Sequence, residues 1–566
     1  IMIFNEIYIK MKCKMKKMIN KSFWFCFVML FFACNAMDNP PTDKYTDNNF
    51  WTSIDKAQNM LNMAYHQLYG AGKMWNDERL TDNVFQARSF TDQRTIRNGL
   101  ADPSTNIFAD EWKGMYEGVK TCNIILEHID KLVASDNIKQ NMKAQARFIR
   151  AALYFRLTNF YGAIPFFDKD ISLAESNTIG RTSHEAVVAF ILKELQEIMK
   201  DLPKKEELTL DERGKITRGA ALMLMARVYL YESNWQKTAQ CCQELMSGQY
   251  GKYELFPSYS GLFEIKNEFS EPFFKQIIET KNEYNNEVIF DYAYVPSLRT
   301  WGELWDMVPL SKGGRLINTA PTQSLVDNYI MLDGKSIHES SEYDPAHPYQ
   351  HRDPRLTATV IYDGYKWSEN VDDGSVNEVI YTNPSNNTPD AYKGINANSS
   401  ATGYYIRKYY DPHHEAQMAL STNIICMRYA DVLLMYAEAM NELNKMNEAV
   451  WNATIRPIRQ RAGFTEPQAL NFPSNLTQQQ MRKLLRIERR SELALEGLRW
   501  YDIKRWKAGS EYLNGMVYGA RFAPDNHNIQ LDVYKFVESR DYLWSIPQSQ
   551  MDINKNLKPN NLGYAN

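Results

Sequence analysis

The sequence predicts a mainly helical protein: a scaffold of tetratricopeptide-like helix–turn–helix units, interrupted by a long irregular insertion that carries short strands. Two observations predict this fold class. Several long segments repeat apolar side chains at the roughly 3.6-residue spacing of a helix with one buried face. Residues 248–422 break that pattern and are rich in Tyr, Asn, Gly and Pro, a composition typical of turns and irregular structure.

The scaffold helices are predicted from this spacing and from capping residues. Thr52 or Ser53 precedes the first helix and Thr182 or Ser183 precedes the fourth, and both pairs are good N-caps. In chain order the predicted helices cover residues 49–69, 112–133, 139–160, 183–201, 216–232 and 235–246 and, after the insertion, 427–443, 447–462 and 484–506. Residues 70–110 are polar and interrupted by glycine, so we expect a long ordered loop there. Residues 287–295 and 376–382 alternate apolar and polar side chains and are predicted strands.

Three of the helices share a pattern that indicates repeated units. The segments ARFIRAALYFRL, AALMLMARVYLY and ADVLLMYAEAMN each alternate Ala with large apolar or Tyr side chains, and each precedes a partner helix. Such self-similarity is typical of tetratricopeptide-like repeats. The spacing between the copies is not constant, so a regular solenoid is not expected.

The N-terminal region has the pattern of a lipoprotein signal. Several lysines from Lys12 onward precede an apolar run over residues 23–33, which is too short to span a bilayer. We predict an upstream extension and lipoprotein signal peptide over residues 1–33, lipidation of Cys34, and a lipidated tether over residues 34–48. A simple signal peptide cleaved elsewhere is the alternative. A single domain is predicted over residues 49–566, with the scaffold at 49–247 and 423–566 and the insertion at 248–422.

The last predicted helix, residues 484–506, places Glu488, Glu492 and Glu496 between two apolar stripes. Buried carboxylates need cationic partners, because burying an unpaired charge costs several kcal/mol or more. The candidate partners are Arg489 and Arg499 on the same helix and Arg456, Arg459 and Arg461 just before it. We interpret these groups as a structural charge clamp.

Catalytic interpretations are weaker than the structural one. Glutamates at this spacing resemble a glycosidase pair, but neighbouring arginines lower a carboxyl pKa, whereas a general acid needs its pKa raised. His413 and His414 are adjacent in a polar segment and are interpreted as solvated. No metal site and no cofactor are predicted, although Asp291, Asp372 and Asp373 leave a structural cation such as calcium open. Cys241 and Cys242 are interpreted as packing residues.

A binding function is favoured by the aromatic content of 34 Tyr, 26 Phe and 12 Trp, more than a core requires. Sugars present C–H faces that stack on aromatic rings and hydroxyl groups that bond to polar side chains. The candidate glycan-binding residues are Trp75, Asn76, Arg79, Tyr292, Tyr294, Trp301, Trp305 and Trp367. Packing of the insertion onto the scaffold is the alternative role for each ring. A net charge of -3 argues against a nucleic-acid partner.

Ordered segments along nearly the whole chain resemble the SusD/RagB-like surface lipoproteins. They are the Cys34 start with its D-N-P-P tether, ARFIRAALYFRLTNFYGAIP, GKITRGAALMLMARVYLY, APTQSLVDNYIMLDG, RDPRL, MRYADVLLMYAEAMNEL, IRQRAG, ERRSELALEGLRWYDIKRW and LWSIPQSQMDINKNLKPNNLGY. The resemblance implies about four helix–turn–helix units, a ligand surface supplied mostly by the insertion, and no catalysis.

The resemblance also implies a place in nutrient import. It implies an outer-membrane, cell-surface location, a membrane attachment through the N-terminal lipid, and a SusC-like TonB-dependent transporter that receives an oligosaccharide or polysaccharide from this chain. Two alternatives stay open: a peptide-binding or protein-interaction subunit of the same kind of importer, and a helical glycoside hydrolase.

Overall fold

The computed structural model describes residues 50–263, 283–295, 297–368, 376, 378–410, 418–522 and 527–566. These residues divide into two compact units. The small unit contains residues 50–58 and 131–134. The large unit contains residues 59–130 and the described residues from 135 onward, and it holds all the features discussed below. The predicted signal peptide, Cys34 and the tether lie outside the described residues, as do His413, His414, Asp372 and Asp373.

The described residues are mainly helical, as the sequence predicts. The helices before the insertion are α1 Ile54–His66, α2 Ala71–Glu78, α3 Asp92–Arg97, α4 Asn106–His128, α5 Asp136–Tyr161, α6 Leu173–Ser176, α7 His184–Ile198, α8 Arg218–Tyr231 and α9 Trp235–Met246. The insertion contains α10 Gln323–Asn328 and α11 Arg355–Thr359. After it come α12 Tyr429–Glu442, α13 Glu448–Ala453, α14 Ile455–Ala462, α15 Pro467–Leu470, α16 Gln478–Glu492, α17 Arg499–Arg505, α18 Gly509–Tyr512 and α19 Gln548–Ile553.

The long helices pack in a continuous series, which is the expected behaviour of helix–turn–helix units. α4 packs on α5, α5 on α7, α7 on α8, α8 on α9, α9 on α12, and α12 on α16. Polar caps start several of them: Ser135 accepts from the Ile138 amide before α5, and Thr217 accepts from the Ala220 amide before α8. The series confirms the tetratricopeptide-like scaffold.

The strands are short and pair two by two. Each pair is antiparallel, and the pairs are β1 Val84–Gln86 with β5 Thr319–Pro321, β2 Ile164–Pro165 with β3 Arg181–Thr182, β4 Val288–Tyr292 with β10 Ile424–Arg428, β6 Val360–Ile361 with β9 Tyr405–Ile406, β7 Tyr365–Trp367 with β8 Glu378–Ile380, and β11 Gly515–Arg521 with β12 Asn528–Tyr534. β4 and β8 lie within the two predicted strand segments. β4 and β10 join the insertion to the start of α12.

Three predicted elements differ from the structure. The predicted helix at residues 447–462 is two helices, α13 and α14, separated at Thr454. Residues 70–110 are not a continuous loop, because α2, β1 and α3 lie in that range. The predicted helix at residues 484–506 is two helices, α16 and α17, separated at residues 493–498. Leu495 and Gly497 there have φ of 63° and 76°, a left-handed conformation that ends an α-helix.

The described cysteines and helices fit the remaining expectations. Cys122, Cys241 and Cys242 are buried free thiols, so the latter two are packing residues, and Cys426 is also free. No helix within the described ranges is long and apolar enough to cross a membrane.

Candidate functional site

Five of the predicted glycan-binding rings are buried. Trp75 and Trp367 have no exposed surface, and Trp301, Tyr292 and Tyr294 are each more than nine-tenths buried. A sugar stacks on the open face of a ring, and these rings have none. The structure therefore assigns them to packing of the fold, contrary to the expectation that they line a ligand site.

Hydrogen bonds show what two of these rings do instead. Trp301 Nε1 donates to the Thr422 carbonyl oxygen at 2.8 Å, and Tyr294 Oη accepts from the Ala71 amide at 2.9 Å. Tyr294 thus connects the insertion to α2, and Trp301 joins two parts of the insertion. Packing of the fold, the alternative role that the sequence left open for each ring, is therefore the role that the structure shows for these two.

The three remaining predicted residues, Asn76, Arg79 and Trp305, are partly exposed and lie on neighbouring elements. Asn76 is on α2 and Arg79 is its C-terminal cap. Trp305 lies on a short 3-10 helix, Glu303–Asp306, that packs against α2. We call this surface the Trp305 patch, and it comprises Asn76, Arg79, Arg88, Trp305, Asp306 and Arg315.

Arg79 connects the residues of the patch. Its Nε donates to Thr319 Oγ1 at 3.0 Å and its Nη1 donates to Asn76 Oδ1 at 3.4 Å. Its Nη2 lies 3.7 Å from Asp306 Oδ2. The guanidinium is thereby held in one orientation between α2 and the 3-10 helix, which places Asn76 and Trp305 in a fixed relation.

Asp306 is an unusual carboxylate. It is largely buried, and burial raises its pKa to about 6, while the charges of Arg79 and Arg88 act in the opposite direction. Its Oδ1 atom has no hydrogen-bond partner among the described residues. A buried acceptor without a partner costs free energy, and such groups gather where a ligand or ordered water completes the hydrogen bonding.

The indole side chain of Trp305 is partly exposed. The backbone is fixed, because the Trp305 carbonyl accepts from the Arg315 amide at 2.9 Å and the Trp305 amide donates to the Gly302 carbonyl at 3.2 Å. The ring itself makes no aromatic stacking or cation–ring contact with another described residue. A partly exposed indole on a fixed backbone is the kind of surface on which a sugar ring stacks.

The sequence prediction missed an exposed aromatic residue in a loop. Phe90 is 99% exposed, in a segment that begins beside the patch: the Ala87 amide donates to the Asn318 carbonyl at 2.7 Å and the Arg88 amide donates to Asn318 Oδ1 at 2.9 Å. An apolar side chain in a polar loop is a signal that could have identified Phe90. Asp306, Arg88 and Arg315 carried no such signal, because their relation to Trp305 depends on tertiary contacts.

The charge clamp exists, with a different set of cations. Glu488 binds Arg459 at 2.7 Å and Arg355 at 2.8 Å. Glu492 binds Arg428 at 2.6 Å and Arg355 at 2.9 Å, and it also pairs with Arg461. Two of the five predicted arginines, Arg459 and Arg461, therefore take part.

The other three predicted arginines bind elsewhere. Arg456 donates to Asn452 Oδ1 at 3.4 Å and is absent from the ion pairs of the three glutamates. Arg489 pairs with Asp431 and Asp502, and Arg499 with Asp82 at 2.9 Å. Glu496 lies beyond the end of α16, where Lys408 and Arg428 each approach it to 2.7 Å.

The pKa values of the clamp carboxylates exclude them as general acids. Arg461, Arg428 and Arg355 hold the pKa of Glu492 well below its ordinary value although burial acts to raise it. The pKa values of Glu488 and Glu496 are lowered in the same way. A group that stays ionised at neutral pH has no proton to give to a leaving group.

The described residues hold no cluster of three or more His, Cys, Asp or Glu side chains suited to a metal ion. Asp291, which the sequence left open as a cation ligand, is buried and accepts from Asn423 Nδ2 at 2.9 Å. Its pKa is raised to about 6 by burial, so it is an internal hydrogen-bond acceptor.

Known proteins resemble this chain over nearly its whole length. "SusD-like protein P2" of Formosa agariphila is 25% identical over 547 residues, which cover 94% of this chain and 97% of that protein. A solved SusD-like carbohydrate binding protein of Bacteroides fragilis is 25% identical with a TM-score of 0.77, covering 90% of this chain and all of that one. A second SusD-like protein of the same species is 26% identical with a TM-score of 0.75, covering 93% of this chain and all of that one.

Two family profiles divide the chain between them. The profile described as "Starch-binding associating with outer membrane" matches residues 35–230. The profile described as "SusD family" matches residues 281–564, which is half of the chain and includes α10 to α19. This chain belongs to the SusD family.

Proposed function

We propose that this protein is a non-catalytic, carbohydrate-binding lipoprotein of the outer membrane that holds an oligosaccharide or polysaccharide at the Trp305 patch. The observation that carries the proposal is the partly exposed indole of Trp305 beside the fixed side chains of Arg79 and Asn76. The proposal is supported by membership of the SusD family and by the carbohydrate-binding relative of Bacteroides fragilis.

In this proposal each side chain has a physical role. The C–H face of one sugar ring stacks on Trp305. Hydroxyl groups bond to the Asn76 amide and to the guanidinium edges of Arg88 and Arg315, both of which are exposed. Arg79 positions the site. No step breaks a covalent bond, so the ligand leaves unchanged.

The ligand then passes to a SusC-like TonB-dependent transporter, and Cys34 carries the lipid that keeps the protein at the membrane. The family profile over residues 35–230, with its outer-membrane description, supports the location. Metabolic labelling with a fatty acid tests the anchor: wild-type protein should be labelled, and Cys34→Ala should be unlabelled and released from membranes. Labelled Cys34→Ala would contradict this assignment.

The binding function is tested by titration calorimetry of the purified protein against a panel of oligosaccharides, with product analysis of each mixture. We expect saturable binding of at least one glycan and no shortened product. Binding of peptides with no glycan bound would favour a peptide importer. Shortened product from the pure protein would establish a hydrolase instead.

Delivery is tested separately by affinity purification from outer membranes. The wild-type protein and Trp305→Ala should recover the same TonB-dependent transporter, because the patch is proposed to contact glycan only. Loss of the transporter from Trp305→Ala would assign the patch to protein contact.

A further inference from the structure

A second pocket lies between α10 and the β11–β12 hairpin. It is open to solvent and is lined mainly by polar side chains. None of its lining residues belongs to the Trp305 patch. We call it the Arg97 pocket, and the residues that matter below are Arg97, Tyr512, Asn514, Tyr518, Asn528 and Tyr534.

Arg97 is a buried cation without a carboxylate partner. Only 3% of the residue is exposed, and its Nε has no hydrogen-bond partner. No side-chain hydrogen bond or ion pair joins it to a residue in the described part of the chain. Its guanidinium lies over the Tyr534 ring, 4.1 Å from the centroid. The ring compensates one face of the cation, and Arg97 is one of the residues that line the pocket.

The two carboxylates whose charges act on Arg97, Asp82 and Asp541, already have arginine partners. Asp541 pairs with Arg540. Asp82 lines the same pocket but is bound by Arg499 at 2.9 Å and by Arg490 at 3.0 Å. Two arginines on one carboxylate leave an excess of positive charge before Arg97 is added. Burial lowers the pKa of Arg97 to about 10, so the guanidinium is charged at neutral pH. A buried, charged fork of donors is suited to an oxyanion.

Acidic side chains at the pocket limit what binds there. Asp327 and Glu511 also line it. Asp327 accepts from Gln323 Nε2 at 2.8 Å, and Glu511 is exposed. A multiply charged anion would meet repulsion from both, whereas a single oxyanion on an otherwise polar molecule can place its charge on Arg97 and its neutral part near them.

The rest of the lining fits a sugar ring. Tyr518 is 41% exposed, and Tyr512 is partly exposed with Arg499 over its ring at 4.4 Å. Asn514 and Asn528 also line the pocket. Asn514 Oδ1 accepts from the Phe536 amide at 2.6 Å, and Asn528 Nδ2 donates to the Gly519 carbonyl at 3.3 Å, so the Asn514 NH₂ group and Asn528 Oδ1 are the atoms proposed to meet a ligand. Aromatic faces with amide donors and acceptors are the groups that recognise a carbohydrate.

We propose that the Arg97 pocket binds one acidic sugar unit, with the sugar oxyanion paired to the Arg97 guanidinium and the ring held among Tyr512, Tyr518 and the two asparagines. The oxyanion is either a uronate carboxylate or a sulfate ester. This inference rests on the proposed glycan-binding function and adds a charge specificity to it. It implies that the natural ligand is an anionic or partly anionic polysaccharide.

The test is calorimetric titration of the purified protein with three probes: an oligogalacturonate, a sulfated galactan oligosaccharide, and the neutral glycan that binds best in the panel. The wild type, Arg97→Gln, Arg97→Lys and Trp305→Ala are compared, with melting curves for each. We expect Arg97→Gln to weaken one acidic probe about tenfold or more and to leave the neutral glycan unaffected. Arg97→Lys should lose less affinity for that acidic probe than Arg97→Gln does.

The probes separate the two sugar oxyanions, because preference for the oligogalacturonate indicates a carboxylate and preference for the galactan a sulfate. If Arg97→Gln does not fold, Tyr518→Ala, an exposed position, should weaken the same acidic probe. Neutral glycan binding with no affinity for either acidic probe would overturn this inference and leave the proposed function standing. No binding of any glycan by the wild type would overturn both. Equal affinity of wild type and Arg97→Gln for the acidic probe would overturn the pocket assignment.

Discussion

Glu492 is the residue on which most of the buried charge converges. It is fully buried and pairs with Arg355, Arg428 and Arg461. Removing one partner of a buried pair is more costly than removing both, since the arginines then stay in the interior without compensation.

We therefore expect Glu492→Ala to lower the free energy of unfolding by roughly 3 to 5 kcal/mol, measured by denaturant titration. Glycan affinity in the folded fraction should be unchanged, because the clamp is separate from the Trp305 patch. Glu538→Ala is the matched control, since Glu538 is exposed and its removal should cost less than about 0.5 kcal/mol. Unchanged stability of Glu492→Ala together with lost glycan binding would reverse the assignment of the clamp.

The sequence predicts the carboxylates of the charge clamp but only some of the cations that pair with them. Helix periodicity places Glu488 and Glu492 on one buried face, and it requires cations near them. Helix periodicity indicates only residues that are close on the same helix or in the adjacent segment. Arg355 and Lys408 are far away in sequence, within the insertion. No local pattern predicts that Arg355 contacts α16 or that Lys408 contacts Glu496 beyond its end.

At the scale of elements, the break between α16 and α17 is fixed by Gly497. Its φ is +76°, a conformation that costs an L-residue free energy. Its amide donates to Glu78 Oε1 at 2.7 Å, and a Cβ added there would overlap the hydroxyl of Tyr69. The break thus turns the chain toward α2 and fixes Glu78.

We expect Gly497→Ala to lower the free energy of unfolding by at least about 1 to 3 kcal/mol, because both the backbone strain and the contact with Tyr69 act in the same direction. Thermal unfolding by circular dichroism measures this. Gly180→Ala is the control, since a Cβ at Gly180 meets nothing within 4 Å. A Gly497→Ala melting temperature equal to that of Gly180→Ala would show that the break tolerates a side chain.

Most scaffold helices could be predicted because each has one apolar face, a periodic signal that the sequence carries directly. α2 was missed, since its eight residues mix Gly, Lys, Asn and Asp with few apolar side chains. The prediction of one continuous helix at residues 484–506 was wrong. The helical spacing of apolar side chains continues through residues 493–498, whereas the helical backbone is interrupted there. Gly497 is the local signal of that break.

For the whole molecule, the pH dependence of stability follows from two groups of carboxyls. Paired carboxyls such as Glu492 and Asp82 have lowered pKa values, that of Asp82 to about 2. As the pH falls, the unfolded state binds protons before the folded state does. The contribution of these carboxyls to the free energy of unfolding is therefore complete above about pH 4.5 and is lost at lower pH. Asp306 and Glu78 have pKa values raised to about 6 and about 7. Their ionisation lowers the free energy of unfolding as the pH rises through these values.

We expect the melting temperature to be level or to rise slightly from pH 8 to about pH 5, and to fall steeply below about pH 4.5. Differential scanning fluorimetry across pH 3 to 8, at roughly constant ionic strength, measures the profile. Glu492→Gln should fall less steeply than the wild type in the acid range. A flat profile to pH 3 would contradict the account of the buried ion pairs.

The aromatic content favours a binding protein but does not indicate which rings are exposed. Trp75 and Trp301 occur in polar, loop-like segments, which favours exposure, yet the insertion folds back and buries both. Trp305 has the same sequence context and stays partly exposed. The difference arises from packing between segments far apart in the chain, so it required the structure.

The measurement that tests the central claim most directly is the glycan affinity of Trp305→Ala by titration calorimetry, with Trp235→Ala as the matched control. Trp235 is also a partly exposed indole, but it lies on α9 and outside the patch. Truncating a central binding aromatic typically costs about 2 kcal/mol or more. We predict that Trp305→Ala loses roughly thirtyfold or more in affinity at an unchanged melting temperature, while Trp235→Ala binds like the wild type. Wild-type affinity in Trp305→Ala would contradict the assignment of the site.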